Sequence, residues 1–136
     1  MKKTDLSKST NIVVATEKNA VITAGSAREL YIETIESNYK DLLTCINSAI
    51  VAAAKRGETN AQIFIDIFDL TKDGYVVDIH SYLEYLGYDA VEIDDYILHT
   101  KPIKEESTVV PYMSAHLKET LDKYQRCKGG LLSINF

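Results

Sequence analysis

The side chains that could do chemistry include three histidines and two cysteines. His80, His99 and His116 lie far apart in the sequence and show neither H-x-x-x-H nor H-E-x-x-H spacing. Cys45 and Cys127 have no zinc-type spacing and no neighbouring catalytic motif. The sequence also lacks a glycine-rich phosphate loop and a G-x-S-x-G motif. We therefore expect a protein that is not an enzyme, with no catalytic residues, no cofactor and no metal.

One stretch imitates a calcium loop. Asp69-x-Thr71-x-Asp73-Gly74 has the spacing of the start of an EF-hand, including its glycine at position six. Calcium binding there needs a bidentate carboxylate at position twelve, and that position is His80. The residues before the loop are also typical of a strand rather than a helix. This stretch is therefore interpreted as a turn.

Other carboxylates lie in segments with strand-like patterns. Asp89, Glu92, Asp94 and Asp95 alternate with apolar residues, which is typical of the solvated face and tip of a hairpin rather than a magnesium or acid–base site. Asp66 lies between two isoleucines. If its face of the strand is buried, it needs a partner such as His80, His99 or a lysine; if that face is open, it is an edge charge that discourages aggregation.

The aromatic residues are biased towards tyrosine, with nine Tyr, three Phe and no Trp. Five of the tyrosines gather around one predicted helix and hairpin: Tyr75, Tyr82, Tyr85, Tyr88 and Tyr96. Such a cluster suits a protein interface or a stacked base. Because few basic residues lie near it, we favour the interface, with a nucleotide ligand as the alternative if Lys72, Lys101 or a neighbouring subunit supplies the charge.

Composition excludes several classes of protein. The formal net charge is −5, and long Lys/Arg clusters are absent, which argues against nucleic-acid and anionic-membrane surfaces. No stretch approaches the roughly 20 apolar residues of a membrane-spanning helix. The N-terminus lacks the apolar core of a signal peptide. We expect a protein of a virion or of a host cytoplasm.

The clearest predicted element is a long helix from Ser26 to Arg56. Ser26 and Glu29 fit a capping box, and Gly57 fits the end of the helix. One apolar stripe runs along it at heptad spacing, consisting of Ile32, Ile35, Tyr39, Leu42, Ile46, Ala49 and Ala53. A second apolar face begins only in the C-terminal half. We therefore expect that half to pack on the chain's own sheet and the first half to meet a partner helix.

The remaining pattern predicts a small sheet and two more helices. Period-two alternation predicts a strand over residues 62–68. A helix follows over 75–86, and then two strands, 88–93 and 96–100, joined at Asp94-Asp95. A third helix is predicted over 114–128, ended by Gly129-Gly130, with a tail over 131–136 that adds an edge strand or docks on a neighbour. Residues 11–24 are interpreted as a hairpin or extended arm.

This order of elements carries a family resemblance. The first helix ends in an alanine-rich stretch and glycine, Ala49-Ile50-Val51-Ala52-Ala53-Ala54-Lys55-Arg56-Gly57, and the second ends in Leu86-Gly87-Tyr88. With the intervening strand and the predicted hairpin, residues 26–100 resemble a helix–strand–helix–hairpin module of short tailed-bacteriophage proteins. The resemblance implies a virion part or an accessory protein, and it implies no active-site residues.

Together these patterns predict an α+β fold, in which a long N-terminal helix packs on a small, mainly antiparallel sheet with two further helices. We expect an arm over residues 1–25, a core module over 26–102, and a C-terminal helix and tail over 103–136. The expected function is that of a tailed-phage structural or assembly protein that contacts other protein subunits, as a homo-oligomer. The alternative is an accessory protein that inhibits a host defence protein or sequesters a nucleotide signal. The expected interface consists of Ile32, Ile35, Tyr39, Leu42, Tyr82, Tyr85 and Phe136.

Overall fold

The protein has an α+β fold, as predicted. The computed structural model describes residues 20–100 and 108–136, in which five helices and four strands occur. The chain divides into two compact units, residues 1–33 and residues 34–136. The predicted arm over residues 11–24 lies mostly outside the described residues, and residues 101–107 lie outside them entirely.

The helices are α1 (Ala24–Asn38), α2 (Lys40–Lys55), α3 (Ile67–Leu70), α4 (Tyr75–Tyr85) and α5 (Ala115–Tyr124). The strands are β1 (Asn60–Asp66), β2 (Ala90–His99), β3 (Val110–Pro111) and β4 (Arg126–Asn135). They form one sheet in the order β2-β4-β1-β3. The β2–β4 and β1–β4 pairs are antiparallel and the short β1–β3 pair is parallel, so the sheet is mainly antiparallel.

The prediction of one continuous helix from Ser26 to Arg56 is wrong, because the structure has two helices there, α1 and α2. The helix breaks at Tyr39, which adopts φ −120° and ψ 30°, outside the helical region. Helix α1 also begins two residues before the predicted cap, since the Ser26 backbone N–H donates to the Thr23 hydroxyl at 3.0 Å. Thr23 thus supplies the side-chain oxygen that satisfies the first turn.

Helix α2 packs on the chain's own sheet, as the second half of the stripe predicts. Its buried residues, Leu42, Ile46, Ala49 and Ala53, are spaced by four, three and four residues. This stripe lies against β1, from which Ala61, Ile63 and Ile65 are also buried. Burial of each large apolar side chain contributes about 1.5–3 kcal/mol to the free energy of unfolding.

The predicted hairpin over residues 88–100 is wrong. Residues 90–99 form the single strand β2, in which Asp94 and Asp95 pair with Leu131 and Gly130 of β4. The partner of each half of β2 is therefore β4, which lies about 35 residues further along the chain, rather than the other half.

The C-terminal segment also differs from the prediction. Helix α5 ends at Tyr124, before Gln125 with its left-handed φ of 62°, and not at Gly129-Gly130. Both glycines lie inside β4, and β4 is the strand between β2 and β1 rather than an edge strand. A β-carbon on Gly129 would lie 2.2 Å from the Ile65 carbonyl oxygen, so glycine is required there for close packing.

Two apolar layers result from the pleat of this sheet. On one face, Ile63 and Leu132 lie opposite each other in the β1–β4 pair, and both are fully buried. On the other face, Phe64 and Cys127 cluster with Leu117 and Leu121 of α5. Asp66 follows Phe64 by two residues, so strand geometry places it on the same face as this second cluster.

Candidate functional site

Two charged side chains are buried in the described residues, and the more deeply buried is Asp66, the last residue of β1, at 0% exposure. Its Oδ1 accepts a hydrogen bond from the Phe68 backbone N–H at 3.0 Å, and this bond caps the short helix α3. Its Oδ2 pairs with His116 Nδ1 at 2.5 Å. The buried carboxylate is therefore satisfied on both oxygens, as burial of a charge requires.

The His116 ring is fixed from two sides. Asp66 holds one ring nitrogen, and the Phe68 ring stacks on the imidazole with 4.3 Å between centroids and 13° between planes. The histidine side chain remains 40% exposed in a cleft. A carboxylate–imidazole pair of this kind can orient a general base. In the described part of the chain, no hydrogen bond joins His116 to a hydroxyl or a thiol.

Both cysteines are held as thiols. Burial, followed by the negative charge of Asp66 and a hydrogen bond to it, raises the pKa of Cys127 to about 12. Burial also raises the pKa of Cys45, which is partly exposed and whose Sγ lies 3.9 Å from the Pro111 carbonyl oxygen. Because the thiolate is the reactive form, neither side chain is activated as a nucleophile.

The cleft beside His116 consists of two adjoining cavities. One, of about 590 Å³, lies between α2, α3 and the start of α5, and its lining includes Cys45, Phe68 and His116. The other, of about 500 Å³, lies under the break at Tyr39 and reaches Tyr75 at the start of α4. The two cavities share four lining residues, Asp41, Asp69, Lys72 and Tyr112. Volumes of this size match those of small-molecule sites.

Asp69 lines both cavities of the cleft. It is only 5% exposed, and its Oδ1 forms an ion pair with Lys72 Nζ at 2.9 Å. Lys72 also lies 5.3 Å from the Phe68 ring centroid, in cation–π range. The second oxygen, Oδ2, and the Tyr75 hydroxyl are the two buried side-chain atoms of the described residues that have no hydrogen-bond partner.

The hydroxyl groups of two tyrosines in the cleft, Tyr75 and Tyr112, have raised pKa values. Burial, followed by the negative charge of Asp69, raises the pKa of Tyr75 far above its ordinary value. Burial and then Asp69 also raise the pKa of Tyr112. Tyr39 packs edge-on against Tyr75 at 5.2 Å between centroids, and its hydroxyl donates to Asp78 at 2.8 Å. The cleft thus combines aromatic walls with carboxylates.

The structure separates the residues of the expected interface. Ile35, Leu42 and Tyr82 are buried within the chain, at 2%, 1% and 8% exposure, so an interface would have to displace intrachain packing to reach them. Tyr82 donates to Glu36 at 2.8 Å. Ile32 and Tyr39 are partly buried, whereas Tyr85 and Phe136 are exposed.

The five tyrosines expected to form one face lie on different surfaces. Tyr75 and Tyr82 point into the core from α4, and Tyr85 is exposed. Tyr88 contacts Phe136 edge-on, and Tyr96 packs on Phe64 in the α5 layer. The stacking surface that a nucleotide ligand would need is therefore not formed by these residues.

The calcium-like stretch and the histidines have other partners. Asp69 binds Lys72, and His80 lies 3.2 Å from the Val91 carbonyl oxygen and 3.5 Å from Glu84. Among residues 20–100 and 108–136, no three or more His, Cys, Asp or Glu side chains are grouped to hold a metal ion. Within those same ranges, no helix is both long and apolar enough to cross a membrane.

The sequence indicates that Asp66 needs a partner if buried, but it does not single out His116 or the cleft. His116 lies 50 residues away, on a helix whose placement depends on the β4 pairing.

No family model, curated protein or solved structure matches this chain.

Proposed function

We propose that this protein is a non-enzymatic structural or assembly protein that associates with a second copy of itself through the outer edge of β2. The observation that carries the proposal is the position of this strand. β2 is ten residues long and is one of the two outer strands of the sheet in the described part of the chain; the other, β3, has two residues. An outer strand presents backbone N–H and C=O groups that can pair with another chain.

The two halves of β2 differ as pairing edges. Near its start, the His80 ring lies 3.2 Å from the Val91 carbonyl oxygen. Glu92, Asp94 and Asp95 are exposed charges, which discourage edge-to-edge pairing. From Tyr96 to His99 no acidic residue occurs, and Ile97 is 50% exposed. The C-terminal half is therefore the half suited to association.

One register for a pair of antiparallel copies brings opposite charges together. If the two-fold axis passes through Ile97, each Ile97 faces its copy, and Tyr96 faces Leu98. The same register places Asp95 opposite His99 at both ends of the paired segment, which is the favourable order of charges when the histidine is protonated. A register centred on Asp95 would place two aspartates opposite each other, and like charges in that position destabilise a sheet.

Light scattering coupled to size-exclusion chromatography tests this proposal. The wild-type mass should rise with concentration from 15.2 kDa towards twice that value. Ile97→Lys should remain at the monomer mass, because the two lysines would face each other across the axis. Val77→Lys is the matched control, since Val77 is 65% exposed on α4 and lies outside β2. A wild-type monomer at all concentrations, or equal behaviour of the two variants, would refute the proposal.

The setting proposed for this association is a tailed-phage particle or its assembly in the host cytoplasm. Its support is the resemblance of residues 26–100, of which the helix–strand–helix order occurs in the structure and the terminal hairpin does not. Mass spectrometry of purified particles beside infected-cell lysate tests the setting separately. Detection in the particle at stoichiometric amount is expected for a virion part, and detection only in the lysate is expected for an assembly protein; absence from both rejects the setting.

A further inference from the structure

We propose that the cavity under the Tyr39 break binds a small organic cation through a primary ammonium group. The argument begins with the two buried polar atoms that lack a partner among the described residues, Asp69 Oδ2 and the Tyr75 hydroxyl. Both residues are 5% exposed, and both line this cavity of about 500 Å³. Two such atoms at one cavity indicate a missing hydrogen-bonding group rather than an isolated packing fault.

The two residues belong to one site, because Asp69 and Tyr75 line the same cavity. A ligand in this cavity meets a carboxylate oxygen and a phenol that both lack a hydrogen-bond partner among the described residues. An ammonium group has three N–H donors and can donate to both oxygens.

The charge around the cavity favours a cation over an anion. Its lining contains three carboxylates, those of Asp41, Asp69 and Asp73, and two ammonium groups, those of Lys40 and Lys72. Lys72 pairs with Asp69 Oδ1, so the Oδ2 side of the same carboxylate is left to the cavity. A phosphate or carboxylate ligand would meet this oxygen at the cost of repulsion and desolvation.

The walls of the cavity suit the body of such a ligand. Its lining includes three tyrosines and a leucine: Tyr39, Tyr75, Tyr112 and Leu42. Aromatic faces attract cations as well as apolar groups. A compact amine with a short aliphatic or aromatic body therefore matches both the polar end and the walls.

Benzylamine and benzyl alcohol form a matched pair of probes, since they differ in charge and hardly in shape. Titrations of the full, isotope-labelled chain are followed by amide chemical shifts in two-dimensional NMR. Benzylamine should give saturable shifts in residues 69–75, and benzyl alcohol should give no saturable shift. Saturable binding of benzyl alcohol with equal affinity, or no saturable shift with benzylamine up to millimolar concentrations, overturns the proposal.

Substitutions assign the site. Asp69→Asn should weaken benzylamine binding about tenfold or more, because a hydrogen bond to a charged group is lost. Asp89→Asn is the matched control: it makes the same change of charge at an exposed residue outside the cavity and should leave the affinity unchanged. If Asp69→Asn unfolds the chain, Tyr75→Phe serves instead, since it keeps the ring and should raise the dissociation constant about threefold or more. Unchanged affinity in a folded variant of either kind rejects the site.

Discussion

At the scale of single residues, the Asp66–His116 pair shows how one buried charge is tolerated. Asp66 is fully buried and has a backbone N–H on one oxygen and the imidazole on the other. In water such a carboxylate would be solvated, and in the interior these two fixed partners take the place of the solvent. The partly exposed histidine thereby links β1 to α5 across the second apolar layer.

Removal of the His116 imidazole should destabilise the folded state. His116→Ala leaves one oxygen of the buried Asp66 without its partner, and we expect the free energy of unfolding to fall by about 1–3 kcal/mol. Urea denaturation followed by circular dichroism measures the change. Glu119→Ala is the control, because Glu119 is exposed on the same helix, and it should cost less than about 0.5 kcal/mol. Equal effects of the two substitutions would show that the Asp66–His116 contact does not stabilise the fold.

Cys127 should make stability depend on alkaline pH. Its pKa rises from 9.0 to about 12 on folding, so the folded state keeps its proton where the unfolded chain loses it. The stabilising contribution is therefore present in full below pH 9 and is lost as pH rises from 9 towards 12, by at most about 1.4 kcal/mol per pH unit.

Chemical denaturation at intervals from pH 8 to pH 10 measures this loss, and Cys127→Ala should flatten the slope above pH 9. Tyr75 and Tyr82, whose pKa values burial raises from 10.0, add their own losses at higher pH. A slope that is the same with and without Cys127 between pH 9 and pH 10 would contradict the assignment to this thiol.

At the scale of elements, the sequence predicts those helices and strands whose formation depends on residues close to one another in the chain. The period-two strand appears as β1 over 60–66 and the amphipathic helix as α4 over 75–85. The stripe from Leu42 to Ala53 lies against the sheet, as its spacing predicts. These elements need only local periodicity and one buried face.

Elements fixed by distant pairing were not predictable. Asp94-Asp95 has the composition of a turn, yet both residues lie in mid-strand because β4 pairs with β2 along its full length. Gly129-Gly130 has the composition of a helix stop, yet both glycines serve the close approach of β4 to its neighbours. The cleft depends on the same pairing, since β4 and α5 together set where His116 lies. Local composition carries no information about these partners.

A substitution at Gly129 tests whether β4 requires glycine for its close packing on β1. A β-carbon there would lie 2.2 Å from the Ile65 carbonyl oxygen and 2.6 Å from the Phe64 ring, and the backbone oxygen cannot move aside. We expect Gly129→Ala to lower the free energy of unfolding by about 2 kcal/mol or more, as overpacking in a core does. Thermal or urea denaturation provides the measurement.

Gly25→Ala is the control for this substitution. A β-carbon on Gly25 would approach no atom more closely than 3.9 Å, and alanine favours the helix that contains it. It should therefore be neutral or stabilising by up to about 1 kcal/mol. A neutral Gly129→Ala would show that the strand packing around Phe64 is looser than described.

At the scale of the whole molecule, the surface proposed for self-association differs from the one that the sequence predicts. The stripe along the first predicted helix indicates a partner helix, but Ile35 and Leu42 are buried within the chain. The sequence pattern predicts a hairpin over residues 88–100, whereas the structure has residues 90–99 as one outer strand, β2. The proposed association through β2 would use backbone groups in place of an apolar helical seam.

Disulfide trapping at position 97 tests this association most directly. Residues opposite each other in an antiparallel pair have Cα atoms about 4.5–5.5 Å apart, within the range that a disulfide spans. In a Cys45→Ser background, Ile97→Cys should therefore form a covalent dimer under mild oxidation, whereas Glu92→Cys on the same strand should remain monomeric. Equal trapping at both positions, or a monomer at both, would contradict pairing of two copies through the C-terminal half of β2.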